Sequence, residues 1–249
     1  MASNDIKCEV LYCMITTILF DLDGTLLPMD PDKFISSYIG RMARKLAPHG
    51  YDPHLLKTAL WAGTAAMVKN CSTENNETVF WNVFSPHFGR DCRVDDPLFM
   101  EYYETDFQQV RFDCGFEPRS AEVIAMLKQR GYRLIVATNP LFPAIATHSR
   151  IRWAGLNPED FALITTYENS RRSKPNPEYY RDILETLSLK GEECLMVGND
   201  VGEDMIAEKL GMRVFLLTDN LINKEGRDIS VYPHGSFPEL MAFIQEELQ

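Results

Sequence analysis

Apolar residues follow two rhythms along this chain. Short β-rich runs recur at Ile15 to Phe20, Arg133 to Thr138, Phe161 to Thr166, Cys194 to Val197 and Val214 to Thr218, each of a length suited to a strand buried on both faces. Between the later runs the period lengthens to that of a helix. Ser120 is placed to cap a helix with Val123, Ile124 and Leu127 on one face, and Gly131 to end it. Asn176-Pro177 marks another start, Asn as cap and Pro at the first helical position, with Tyr180, Ile183, Leu184 and Leu187 following. Strands alternating with helices predict an α/β chain with a doubly wound parallel sheet.

Residues 28 to 117 break this alternation. Phe34, Tyr38 and Met42, then Phe99, Tyr102, Tyr103 and Phe107, recur at helical spacing with no strand pattern among them. Ordinary connections between elements run to about 4–6 residues, so this stretch is expected to be an inserted helical domain acting as a lid. Residues 14–27 and 118–249 would then form the core. Residues 1 to 13 show no pattern and are read as a leader or a disordered segment, because Met14 opens directly into the first strand.

Composition narrows the partners. With 45% apolar residues the chain can fill a sizeable core. A net charge of −11, with Arg171, Arg172 and Lys174 as the one tight basic cluster, speaks against nucleic acid. The six cysteines form no C-x-x-C pair and are expected to be free thiols. The apolar run from Val10 to Phe20 lacks a basic flank and a cleavage site and reads as a strand, and no run reaches the ~18–20 residues that span a bilayer. A cytoplasmic protein without membrane contact is expected; the oligomeric state is not legible.

Four stations carry chemistry. Asp21-Leu22-Asp23-Gly24-Thr25-Leu26 follows the first strand, where α/β sheets gather ligands. Two carboxylates at that spacing would repel by ~4 kcal/mol at an effective dielectric of about 20, so a cation or a shared proton is expected between them. Ala137-Thr138-Asn139 ends the second strand, and a hydroxyl with nearby backbone N–H groups there can hold a phosphate oxygen. Lys174 stands just before the helix opened by Asn176-Pro177, a place that favours anions. Gly198-Asn199-Asp200-Val201-Gly202-Glu203-Asp204 supplies acids at a fourth strand end, hard ligands suited to Mg²⁺.

In this order the stations resemble the haloacid dehalogenase-like hydrolase superfamily, in its phosphatase branch with a helical cap inserted after the first motif of a Rossmann-like core. The resemblance runs from about Met14 to the C-terminus. It implies a Mg²⁺-dependent phosphatase acting on a small phosphorylated metabolite. Asp21 would be the nucleophile, forming an aspartyl-phosphate, and Asp23 the general acid and base. Thr138, Asn139 and Lys174 would bind the phosphoryl group, Thr138 and Lys174 also serving catalysis. Asp21, Asp23 through its carbonyl, and Asp200 with Asp204 would form the metal set, Asp204 as the second acid that orients a ligand or water. This chain has Asn199 where the family often has an acid, which leaves Asn199 and Glu203 as a competing pair at the same spacing.

Other readings stay open. A phosphomutase would use the same residues, and a non-catalytic phosphometabolite-binding protein would keep the scaffold. Dehalogenation fits less well with the second carboxylate, and phosphonate hydrolysis would need a cap lysine, with Lys33, Lys45, Lys57 and Lys69 as candidates. Trp61, the stretch Gly63 to Met67, and Phe80, Trp81 and Phe84 could line a substrate pocket, though such residues serve more often as core. Arg41, Arg44, Lys69 and Arg90 could meet an anionic tail. The five histidines have no zinc-like spacing, and no G-x-S-x-G elbow or G-x-x-x-x-G-K-[ST] loop is present.

Overall fold

The computed structural model describes residues 14–248, so the reading of residues 1 to 13 lies outside the described residues. Six strands, β1 (Thr17–Phe20), β2 (Arg133–Val136), β3 (Leu163–Ile164), β4 (Cys194–Gly198), β5 (Arg213–Leu217) and β6 (His234–Gly235), form one sheet in the order β3-β2-β1-β4-β5-β6. Every pairing is parallel, with Thr17 beside Arg133 on one side and Cys194 on the other. Successive residues of the central strands enter opposite cores. Ile18, Phe20, Leu195 and Val197 pack on one face, and Leu19, Cys194 and Met196 on the other. Burial on both sides explains why these strands are unbroken apolar runs. β6 escapes sequence reading because only two residues pair there.

The helices in chain order are α1 (Pro31–Leu46), α2 (Pro53–Val68), α3 (Asn76–Phe84), α4 (Asp96–Glu104), α5 (Pro118–Gln129), α6 (Ala144–Trp153), α7 (Pro177–Leu187) and α8 (Phe237–Glu247). Asp30 and Asp52 cap α1 and α2, each before a proline, and Asn75 caps α3. As expected, Asn176 accepts from Glu178 N–H and starts α7. The cap of α5 is a correction. It is Glu117, which accepts from Arg119 N–H, with Pro118 opening the helix. The Ser120 hydroxyl is buried and donates instead to the Leu26 carbonyl at 2.8 Å, tying α5 to the loop after β1.

Helices α1 to α5 and four 3-10 turns fill the interval between β1 and β2. Phe34, Tyr38, Met42, Phe99, Tyr102, Tyr103 and Phe107 are all buried in one hydrophobic cluster. Gly63 lets α2 approach α3, since a Cβ there would lie 2.5 Å from the Phe80 ring. Asn76, wholly buried at the start of α3, donates to the Pro140 carbonyl at 3.1 Å and to Ser173 Oγ at 3.0 Å. One side chain of the helical segment therefore touches both loops that carry Asn139 and Lys174. Among the described residues no helix is long and apolar enough to cross a membrane.

Candidate functional site

β1 and β4 lie side by side, so the loops that leave them meet beyond their carboxyl ends. The Asp21 N–H donates to the Val197 carbonyl at 2.9 Å, which places its side chain one step past the sheet. Gly24 turns the chain back with a φ of 89°, and a Cβ on it would lie 2.3 Å from Asn199 Nδ2. Asn199 is a clamp between loops: its Oδ1 accepts from Thr25 Oγ1 at 3.0 Å and its Nδ2 donates to the Asn220 carbonyl at 2.6 Å.

Lys174, only 1% exposed, spans two acids, with Nζ 2.9 Å from Asp21 Oδ1 and 2.6 Å from Asp204 Oδ1. Burial opposes its charge, but Asp204 and Asp21 more than offset that and hold the lysine well above its ordinary pKa. Burial raises the Asp204 carboxyl, against the pull of Lys174. The second Asp204 oxygen accepts from Asp200 N–H at 2.9 Å. With both oxygens engaged and the side chain 1% exposed, Asp204 stands as the acid that orients Lys174 and the Asp200 backbone.

Asp200 is half-buried, and its Oδ1 accepts from Gly202 N–H at 2.7 Å and Glu203 N–H at 3.0 Å. Glu203 accepts from Asn139 Nδ2 at 3.0 Å, and burial raises its carboxyl despite Lys174. The Thr138 carbonyl receives Thr165 Oγ1 at 2.7 Å and the Tyr179 hydroxyl at 2.9 Å, fixing the turn at the end of β2. The four stations are thus linked through side chains: Asp21 to Lys174 to Asp204, and Asn139 to Glu203.

Asp23 has a partner outside every station. Arg150, on α6 and wholly buried, pairs with Asp23 Oδ2 and donates to Thr147 Oγ1 at 3.3 Å. Its guanidinium carbon lies 4.5 Å from the centroid of Phe142, a cation–π contact. Burial raises the Asp23 carboxyl above its usual range, and Arg150 opposes that rise. Asp23 Oδ1 and Arg150 Nε are buried with no hydrogen-bond partner. Nothing in the hydropathy of α6 distinguishes Arg150 from its exposed neighbour Arg152.

Among the described residues no three His, Cys, Asp or Glu side chains are grouped as a cation site would require. The groups that could hold Mg²⁺ are the carboxylates of Asp21 and Asp200 with the main-chain carbonyl of Asp23, a donor chemistry suited to an ion that keeps several waters. The four lysines considered for phosphonate chemistry are surface residues or surface ion pairs. Lys33 and Lys45 pair with Asp113 and Glu101, and Lys57 and Lys69 are exposed. Arg90 pairs with Asp95 at 2.5 Å.

A parallel doubly wound sheet with acids and one buried lysine beyond its central strands defines an α/β enzyme scaffold. The chain belongs to the haloacid dehalogenase-like hydrolases, whose family model matches residues 15–210. It is 26% identical over 215 residues to the N-acetylmuramic acid 6-phosphate phosphatase of Pseudomonas putida, covering 85% of this chain and 86% of that one. To the glyceraldehyde 3-phosphate phosphatase of Methanothermobacter thermautotrophicus it is 28% identical over 233 residues, covering 88% and 95%. Its fold is similar to that of a 2-haloacid dehalogenase from Pseudomonas syringae, at 19% identity and a TM-score of 0.62, covering 93% of this chain and 99% of that one.

Proposed function

We propose that this hydrolase is a Mg²⁺-dependent phosphatase of small phosphorylated metabolites, working through an aspartyl-phosphate on Asp21. The observation that carries the reading is the buried Asp21–Lys174–Asp204 chain, with Asp23 held apart from it by Arg150. Lys174 holds Asp21 in place through their ion pair and offsets the charge that an incoming phosphate brings. Thr138 and the Asn139 backbone receive phosphoryl oxygens at the end of β2. Bound Mg²⁺ would supply further neutralisation of phosphoryl charge from Asp21, Asp200 and the Asp23 carbonyl.

The two carboxylates have separate tasks because their partners differ. An Asp21 oxygen attacks phosphorus while the ester P–O bond breaks, and Asp23 gives its proton to the departing oxygen. Asp23, then a carboxylate, takes a proton from water as that water attacks phosphorus. The acyl phosphate P–O bond breaks, restoring Asp21 and releasing inorganic phosphate. Arg150 steadies the charged form of Asp23 between these steps. The relatives named above are phosphatases of phosphorylated sugars and trioses by name, which supports the same class here.

The test is hydrolysis of a generic aryl phosphate with Mg²⁺, with EDTA, and by folded Asp21→Asn protein. Activity that disappears in both of the last two is expected. A folded wild type inactive on this ester and on a panel of phosphorylated metabolites would remove the phosphatase reading.

A further inference from the structure

The start of α3 is bonded to the core. A helix leaves the N–H groups of its first turn without internal partners, and here they are taken by groups beyond the helix. Asn76 N–H donates to the Ser170 carbonyl at 2.8 Å and Glu77 N–H to the Tyr167 carbonyl at 2.9 Å. Thr78 N–H goes to the capping Asn75 side chain at 3.0 Å, and Asn75 Nδ2 donates to the Glu168 carbonyl at 2.8 Å.

The Asn76 side chain adds a second set of bonds. Its two Nδ2 protons go to the Pro140 carbonyl and to Ser173 Oγ, while its Oδ1 accepts from Asn70 Nδ2 at 3.0 Å. Asn70 also donates to the Glu74 carbonyl and accepts from Ser72 N–H, which fixes the direction of the amides. Ser173 Oγ passes its own proton to the Met67 carbonyl at 3.2 Å. Every polar atom of the Asn76 amide is thus engaged, and the residue is wholly buried.

Pro140 directly follows Asn139, and Ser173 directly precedes Lys174. Between those two loops the bond from Asn139 Nδ2 to the Lys174 carbonyl is 3.4 Å long, beyond the usual range for such a bond. The two well-formed bonds of Asn76 join the same loops from the helical side. We infer that Asn76 is a positioning residue for phosphoryl binding, which sets the placement of the Asn139 backbone relative to Lys174 without touching the substrate. The inference rests on the phosphatase reading for the tasks of Asn139 and Lys174. It makes the helical segment part of the frame of the phosphate pocket. Its loss falls on holding the phosphoryl group and not on protonating the leaving oxygen, so every leaving group suffers alike.

The experiment measures the Kd of inorganic phosphate with Mg²⁺ by titration calorimetry, and kcat/KM on nitrophenyl and ethyl phosphates, in the wild type, Asn76→Ala, Ser173→Ala and Tyr51→Phe. Tyr51→Phe breaks a bond inside the helical segment, from the Tyr51 hydroxyl to Asp95 at 2.7 Å, and controls for lost stability alone. Misplacing a reacting group by about 1 Å costs up to about 100-fold in rate, so Asn76→Ala should lower kcat/KM about 10- to 100-fold, equally on both esters, and weaken phosphate at least about fivefold. Ser173→Ala removes one of the two acceptors and should shift both quantities the same way by less. Tyr51→Phe should lower the melting temperature and leave the phosphate Kd unchanged. A folded Asn76→Ala protein with wild-type phosphate affinity overturns the inference, and so does Tyr51→Phe weakening phosphate as much as Asn76→Ala. If Asn76→Ala does not fold, an unchanged Kd in folded Ser173→Ala overturns it instead. A wild type that binds phosphate but hydrolyses no ester removes the phosphatase reading and leaves the Kd comparison to judge Asn76; one that binds no phosphate removes both.

Discussion

Arg150 reaches out of α6 to the carboxylate of Asp23, burying a full positive charge beside the acid that begins the first motif's turn. Breaking a buried pair by removing one partner costs up to about 3–5 kcal/mol, less here because Asp23 keeps 29% of its side chain exposed. Arg150→Met should therefore destabilise the fold modestly and leave Asp23 poorly aimed. A nitrophenolate departs without a proton and an alkoxide does not, so the variant should lose about 100-fold on alkyl phosphates and under tenfold on nitrophenyl phosphate. Partial recovery by Arg150→Lys is expected. Equal losses on both substrates would show that Arg150 does not act through Asp23.

Lys174 is the only cation within hydrogen-bonding reach of either Asp21 or Asp204 among the described residues. Lys174→Met should cost about 3–5 kcal/mol, since it leaves a buried carboxylate uncompensated. Adding Asp204→Leu should restore much of that stability in urea melts while activity stays abolished. Recovery of activity in the double variant would separate Lys174 from the chemistry.

Gly198 ends β4 directly beneath Asp204, and a Cβ on it would lie 2.2 Å from that carboxylate. Gly198→Ala should displace Asp204 from Lys174 and lower activity at least tenfold, with a loss of about 1–3 kcal/mol from overpacking. Wild-type activity with an unchanged melting temperature would mean that the Asp204 geometry does not matter.

Seven buried tyrosines set an alkaline limit. Burial raises Tyr38 to about 12 and holds Tyr51, Tyr102, Tyr103, Tyr167, Tyr179 and Tyr180 well above the ordinary phenol value. Their unfolded value is about 10. The stability is complete below that value and is lost as pH rises above it, because only the unfolded chain releases the protons, by ~1.4 kcal/mol per unit for each ring. A marginally stable domain of ~5–15 kcal/mol should unfold cooperatively within about one to two units above pH 10. Phenolate absorbance should rise in step with the loss of near-UV circular dichroism. A phenolate signal that saturates while the tertiary signal persists would refute this.

Most of the sheet was legible because its central strands are buried on both faces, and unbroken apolar runs such as Leu195 to Val197 have few other uses. β3 shrinks from the expected Phe161 to Thr166 to Leu163–Ile164, where the edge offers one neighbour instead of two. Glu117-Pro118 carried the true start of α5, but Ser120 is an equally good cap by composition; only the Leu26 carbonyl decides between them. Spacing marked Asp200 and Asp204 alike as acids, and their difference lies in a lysine that approaches from a distant loop. Arg150 gave no signal at all, since a buried arginine and a solvated one have the same letter and α6 is polar around much of its surface.

β1 sits in the middle of the sheet although it comes first in the chain, and Thr17 must find Arg133 on one side and Cys194 on the other. Synthesis proceeds from the N-terminus, and contacts between distant segments form slowly. Asp21 therefore leaves the ribosome long before either neighbouring strand, and before Lys174 and Asp204. A nascent chain stopped short of Gly198 carries the first motif without its scaffold, so the acid cluster comes into being only as the sheet closes.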